Sequence, residues 1–401
     1  MNVGSVPSTN APSAVRRGPD DELERRAVGC LVGSAVGDAL GGPTEGHSPE
    51  AIRNRYGGPV SGLVGPFYAD WRTRKPASPY HKGDGHVTDD TLMTHLLVRV
   101  YETRRDHLSA YDLAELFVPL ILEELVWIPE LHTETVPLQR IFLAEKWIVA
   151  RLYHAHADPR EAGVGNIVNC GAAMYMAPVG IANVGDPQGA YNEAIDISGA
   201  HQWSYGREAA GVFAAAVAAA LSPGATVESV VASCLDVAHD GTRSAIECVC
   251  ERASTLAAHP IDAADVLREA VAPYDSVGPD YRQPALDARR PSRLRAIEEL
   301  PIALGMLVLA EGNYENAVLG GVNYGRDADS IASMAGALAG ALNGAEAVSR
   351  EWSQTVAQAS RLDLEGPGRV MATIARELFS ADMQRADRRA AAFKQLTAGQ
   401  T

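Results

Sequence analysis

Residues 22–41 read ELERRAVGCLVGSAVGDALG, and the spacing inside this stretch decides the fold. Gly29, Gly33, Gly37 and Gly41 recur at every fourth position, so on an α-helix they line one face. Each interior glycine costs a helix about 0.5–1 kcal/mol relative to alanine, and the run of them costs roughly 2–4 kcal/mol. Close approach of another backbone is the natural offset. Gly336, Gly340 and Gly344 repeat the pattern late in the chain. Both stretches are therefore expected at the tightly packed centre of the fold, where a rigid site is easiest to build. Close packing alone, without chemistry, accounts for the glycines taken by themselves.

Working outward, apolar residues recur at helical spacing over 22–41, 89–104, 111–127, 138–154, 205–221, 225–239, 242–257, 294–311, 328–342 and 369–379. Strand alternation is absent, and Gly, Pro and Asp collect between the blocks. The expectation is an all-α fold, a single compact multi-helix domain over residues 22–401 after a disordered, polar tail over residues 1–21. Two connections, 59–87 and 274–291, are long enough to be binding loops or lids.

At 401 residues the chain can bury a large core, and 46% hydrophobic with 21% charged residues is ordinary for a globular protein. A net charge of −15 argues against a surface that neutralises nucleic-acid phosphates, while leaving room for a local basic pocket that takes a diphosphate. No run reaches the roughly 18 uninterrupted apolar residues of a membrane helix; the richest, 117–128, is broken by Glu123 and Glu124. The tail has no apolar segment after Arg16 and Arg17 and does not read as a signal peptide. Cys30, Cys170, Cys234, Cys248 and Cys250 form no disulfide-like or zinc-like framework, which suits a reducing cytoplasm.

Two acidic strings open helices. Thr88-Asp89-Asp90-Thr91 directly precedes the apolar run Leu92, Met93, Leu96, Leu97, and Gly325-Arg326-Asp327-Ala328-Asp329-Ser330 precedes Ile331-Ala332-Ser333-Met334. Asp, Ser and Thr at such positions are ordinary caps for free backbone N–H groups. Each string, however, has more carboxylates than one cap requires. Brought together in a dry pocket, Asp89, Asp90, Asp327 and Asp329 would repel unless cations were present. Carboxylates with the hydroxyls of Thr88 and Ser330 form a hard oxygen set suited to Mg²⁺ or Mn²⁺, and no Cys/His cluster near either string points to zinc.

At these residues the chain resembles the ADP-ribosylglycohydrolase family, which includes the enzyme that removes ADP-ribose from dinitrogenase reductase and the animal ADP-ribosyl-acceptor hydrolases. The resemblance rests on four elements in order: Gly29 to Gly41 followed by Pro43 and Glu45; Thr88 to Thr91; Asn169-Cys170-Gly171-Ala172-Ala173-Met174 with Ala200-His201; and Asn323 to Ser330. It implies two Mg²⁺ or Mn²⁺ ions held by Thr88, Asp89, Asp90, Asp327, Asp329 and Ser330, with Glu45 at the rim or as a further ligand. Asp89 or Asp327, assisted by Glu45, is the carboxylate expected to guide the attacking water. Gly171, Tyr175, His201 and Arg326 are the candidate substrate contacts.

The resemblance further implies cleavage at the anomeric carbon of an ADP-ribosyl group on a protein or small molecule. Three departures bear on the pocket: Arg326 stands where relatives usually carry glycine, Ala328 where they have threonine, and Tyr175 where they often have arginine. Arg326 is expected either to meet a substrate anion or to compete with a metal for Asp327. Two other readings stay open, a hydrolase of another ribosylated small molecule and a catalytically silent ADP-ribose-binding protein.

Overall fold

In the computed structural model, which describes residues 21–71, 81–129, 131–257, 259–278 and 295–397, the opening helix spans Glu22–Gly41 and a late helix spans Ala328–Asn343. A Cβ placed on Gly29 would meet the carbonyl of Gly340, on Gly33 that of Gly336, on Gly37 that of Ala332 and on Gly41 that of Ala328. One number rises by four as the other falls by four, so the helices run antiparallel with their main chains in contact. Ser34 and Ser333 share a hydrogen bond of 2.7 Å across this seam, and the Tyr314 hydroxyl donates to the Gly33 carbonyl at 2.9 Å. The stretch from Arg26 to Gly41 is buried throughout, as is that from Ala328 to Ala341.

Burial of Arg26 in this core follows from what it satisfies. Its guanidinium donates to the carbonyls of Ala341 at 2.7 Å, Leu342 at 3.0 Å, Ala220 at 2.9 Å and Ser222 at 3.0 Å. These lie at the C-terminal ends of the late helix and of helix Ser204–Ala220, where the last carbonyls have no partner within their own helix. One side chain thus caps two central helices.

Helix Asp89–Arg104 has the bounds its periodicity predicts, and Ser204–Ala220, Val227–Val237 and Asp240–Thr255 fall within two residues of theirs. The blocks 111–127 and 138–154 are broken. Each contains a π-helical turn, Leu113–Phe117 and Val149–His154, and Val126–Ile128 pairs antiparallel with Thr133–Thr135. The all-α expectation holds, with this one short strand pair added among the described residues: three-residue strands are too short for alternation to register. Helices Pro49–Tyr56, Pro187–Ser198, Ala264–Val271, Tyr314–Tyr324 and Arg350–Ser360 were not anticipated. Tyr314–Tyr324 is buried on nearly every side and so has no polar face to set a period.

Residues 1–20 of the expected tail, and the stretches 72–80 and 279–291 of the two long connections, lie outside the described residues. Within the first connection, the Asn323 side chain holds both the N–H and the carbonyl of Val60 at 2.8 Å. His81 and His86 are half-buried with ring centroids 4.2 Å apart, on either side of a tight turn in which Gly83 and His86 pair. No helix among the described residues is long and apolar enough to cross a membrane.

The long final helix Gly366–Thr397 is clamped by His107, whose Nδ1 lies 2.6 Å from Glu193 and Nε2 3.1 Å from Asp382. The bond to Glu193 pushes the imidazole up to about 9. A folded-state value above the unfolded one means the clamp contributes fully below about pH 6.5 and is lost as pH rises through about 9. After discounting for solvent, about 1–2 kcal/mol of stability should disappear across that window. Thermal melts at steps from pH 6 to pH 9.5 check this: His107→Gln should flatten the decline, and an equal slope in the variant would assign it elsewhere.

Candidate metal centre

The antiparallel seam ends where the acidic strings begin. Asp38, fully buried on the opening helix, accepts from the Thr88 N–H at 3.0 Å, the Thr91 N–H at 3.1 Å and the Thr91 hydroxyl. It fastens the start of helix Asp89–Arg104 to the glycine helix. The cap itself is Thr88, whose hydroxyl accepts from the Asp90 N–H at 3.3 Å. Asp89 and Asp90 are thus not consumed as caps. Asp89 Oδ2 instead accepts from the Phe142 N–H at 2.8 Å, which fixes its orientation.

The second string is positioned by a left-handed turn. Gly325 has φ of 69° and Arg326 φ of 58°, a conformation that favours glycine at either place. Two backbone bonds lace this turn to the loop after Glu45: the Gly46 N–H to the Arg326 carbonyl at 2.6 Å and the Arg326 N–H to the His47 carbonyl at 3.0 Å. Asp327 begins helix Ala328–Asn343 without a side-chain capping bond, so capping does not explain it either.

The two strings meet. Burial holds Asp90 well above the usual carboxylate range, reinforced by repulsion from Asp38, Asp329, Asp89 and Asp327. Asp327 is raised in the same way, by burial and then by Glu299 and Asp329, and Asp38 is pushed up to about 6 by burial and Asp329. Carboxylate oxygens of Glu45, Asp327 and Asp329 lie within 4.8 Å of one another, as do ligand atoms of Cys170, Glu299 and Asp327. Asp90 Oδ1 is buried with no hydrogen-bond partner. A buried, unpartnered carboxylate oxygen among other acids fits a divalent cation, whose charge would relieve the repulsion and satisfy the orphaned lone pairs.

Thr88 and Ser330, the expected hydroxyl ligands, are both in the cluster. Thr88 lies 3.3 Å from Asp90 Oδ2, and the Ser330 hydroxyl bonds the Cys170 thiol. Cys170 in turn donates to Asp327 Oδ2 at 3.3 Å, which brings a soft donor into a site whose sequence strings contain none. Arg326 is buried and turns its guanidinium to Glu298 at 2.5 Å, with Arg268 at 3.2 Å from the other carboxylate oxygen. Burial outweighs these cations and leaves Glu298 pushed up to about 7.

Tyr175 and His201 are both fully buried, with the Tyr175 hydroxyl 3.0 Å from His201 Nδ1 and the rings stacked. Burial drives the imidazole down to about 3, so it is neutral. Its Nε2 faces Glu145 Oε1 at 3.7 Å, and a Cβ on Gly171 would meet that same carboxylate oxygen. Glu145 is raised well above its usual range by burial, then by Asp89 and Asp327, and its Oε2 has no partner. Asp38, Glu145, Glu299 and Cys170 were missed as site residues. The signal available for the first two was a lone carboxylate inside an otherwise apolar helical stretch.

Comparison with known proteins agrees with this architecture. An uncharacterized protein of Archaeoglobus fulgidus is 26% identical over 322 residues, covering 80% of this chain and 88% of its own length. A solved structure described as an ADP-ribosylglycohydrolase-related protein complex superposes with a TM-score of 0.55 at 21% identity, covering 88% of this chain and 99% of that one, which shows a shared fold. The model of the ADP-ribosylglycohydrolase family matches residues 19–388. The chain belongs to the ADP-ribosylglycohydrolase family.

Proposed function

We propose that this protein is a metal-dependent hydrolase that cleaves the glycosidic bond at the anomeric carbon of an ADP-ribosyl group carried by a protein or a small molecule. The observation that carries the reading is the gathering of Glu45, Asp327 and Asp329 oxygens within 4.8 Å, close enough to Asp90 for Asp327 and Asp329 to repel it, while Asp90 Oδ1 is buried and unpartnered. Thr88, Asp89, Asp90, Asp327, Asp329 and Ser330 would hold Mg²⁺ or Mn²⁺, two ions when fully loaded, with Glu45 as a further ligand. When bound, such ions supply the positive charge that polarises ribose hydroxyls and water.

The chain's own groups divide the remaining work. Asp89, oriented by the Phe142 N–H, or Asp327 accepts the proton of the attacking water. Glu145, whose proton affinity is raised by burial and by Asp89, would donate to the departing group, as glycoside cleavage through an oxocarbenium-like state requires. Tyr175, His201 and Gly171 form the wall behind Glu145 and shape the substrate side of the site.

One observation favours a second reading, a hydrolase of another ribosylated small molecule. The Arg326 guanidinium is ion-paired with buried Glu298, and tyrosine stands at 175, where the resemblance implies a cation. Release of ribosyl product from ADP-ribosylated arginine, ADP-ribosylated serine, O-acetyl-ADP-ribose and simple ribonucleosides, with Mn²⁺ and after chelation, separates the readings. Metal-dependent turnover of an ADP-ribosyl compound is expected. Cleavage of ribonucleosides alone would favour the second reading, and ADP-ribose binding without turnover or metal uptake would leave a silent binder.

A further inference from the structure

Lys82, in the loop that leads into the first acidic string, brings an ammonium group into the carboxylate cluster. Its Nζ is ion-paired with Glu45 Oε2 and lies 3.2 Å from Asp329 Oδ2. These are two of the three residues whose oxygens gather within 4.8 Å with those of Asp327. The pairing is largely removed from solvent, since the side chains of Lys82, Glu45 and Asp329 are 20%, 12% and 4% exposed. An ammonium on a four-carbon stem is a compact point charge with three donors, and it addresses the same lone pairs that a hard divalent cation requires.

We propose that Lys82 is a tethered surrogate cation: it neutralises the Glu45–Asp329 corner before metal arrives, and it gives up those oxygens when a divalent ion binds. The inference rests on the metal-dependent reading above. Two cations cannot share the same carboxylate oxygens at these distances without strong repulsion, so occupancy by one weakens the other. The exchange asks only the side chain to move. The backbone on the C-terminal side of Lys82 is fixed by the Asp84 N–H to Val64 carbonyl bond of 2.8 Å and by the Gly83–His86 bridge. The stem lies beside Gly42, where an added Cβ would come within 3.5 Å of Lys82 Cβ. Lys82 is thus a positioning and charge-balancing residue that makes metal uptake a competition instead of a simple filling of an empty acidic hole.

The test titrates metal-free wild type, Lys82→Gln and Lys82→Arg with MnCl₂ by calorimetry, and melts each protein with and without saturating Mn²⁺. Lys82→Gln should bind Mn²⁺ at least about tenfold more tightly than wild type, while its metal-free melting temperature falls and the difference closes at saturation. Lys82→Arg, which keeps a cation on the same oxygens, should bind Mn²⁺ close to wild type. Equal or weaker Mn²⁺ affinity in Lys82→Gln would overturn the proposal and leave Lys82 as a prop for Glu45 and Asp329. Absence of Mn²⁺ uptake by wild type and by Lys82→Gln alike would instead strike the metal reading itself, and this inference with it.

Discussion

Asp327→Asn and Asp89→Asn each lower turnover by more than about a thousandfold, on the order of 4 kcal/mol of transition-state stabilisation, without loss of the fold. The two halves of that expectation have different origins. Asp327 is a buried carboxylate whose proton affinity is raised by burial, Glu299 and Asp329, and Asp89 lies beside Asp90 with its Oδ2 held by the Phe142 N–H, so each is a candidate anionic ligand and proton acceptor. Converting one to the isosteric amide removes charge while keeping shape. In the metal-free protein the same change relieves repulsion that burial makes costly, so the melting temperature without metal should stay level or rise. Mn²⁺ should then raise the variant's melting temperature less than it raises that of wild type. Single-turnover release of ADP-ribose, read beside melts with and without Mn²⁺, checks both halves. Turnover at the wild-type rate in either variant would remove these residues from the site.

What could be read in the sequence and what could not follow one physical line. The opening helix and helix Asp89–Arg104 have the bounds their patterns predict, because a glycine stripe and a Thr cap leave local marks. The acidic strings were recognisable because each clusters within a few residues. Glu145 shows only the weaker mark of a lone carboxylate in an apolar stretch, and Glu299 stands in a bare Glu298-Glu299 pair, so only the fold gathers them at the site. Asp38 lay in plain view within the quoted stretch, the one charged residue between Val28 and Gly41, yet its role depends on accepting from Thr88 and Thr91, fifty residues on. Arg326 shows the converse. Its departure from glycine was evident, but that its guanidinium turns to Glu298 depends on a left-handed φ that the sequence does not report.

Gly37→Ala tests whether the seam and the site are one construction. In an ordinary helix interior this substitution gains about 0.5–1 kcal/mol, since glycine is the poorer helix former. Here the added methyl meets the Ala332 carbonyl group, with its carbon at 2.6 Å and the Ser333 nitrogen at 3.0 Å, all main-chain atoms of the facing helix. Backbone cannot rotate aside as a side chain can, so the helices must separate along the seam, breaking the Ser34–Ser333 bond and opening packed surface. The expected result reverses sign, to a destabilisation of at least about 3 kcal/mol, seen as a fall in melting temperature or as loss of soluble protein. Because Asp38 neighbours Gly37 and Asp329 lies just before Ala332, separation also pulls the opening helix away from the second acidic string. Folded Gly37→Ala protein should therefore bind Mn²⁺ more weakly than wild type although no ligand has been touched. A variant as stable as wild type, with undiminished Mn²⁺ affinity, would show that the glycines do not set the spacing on which the acidic cluster depends.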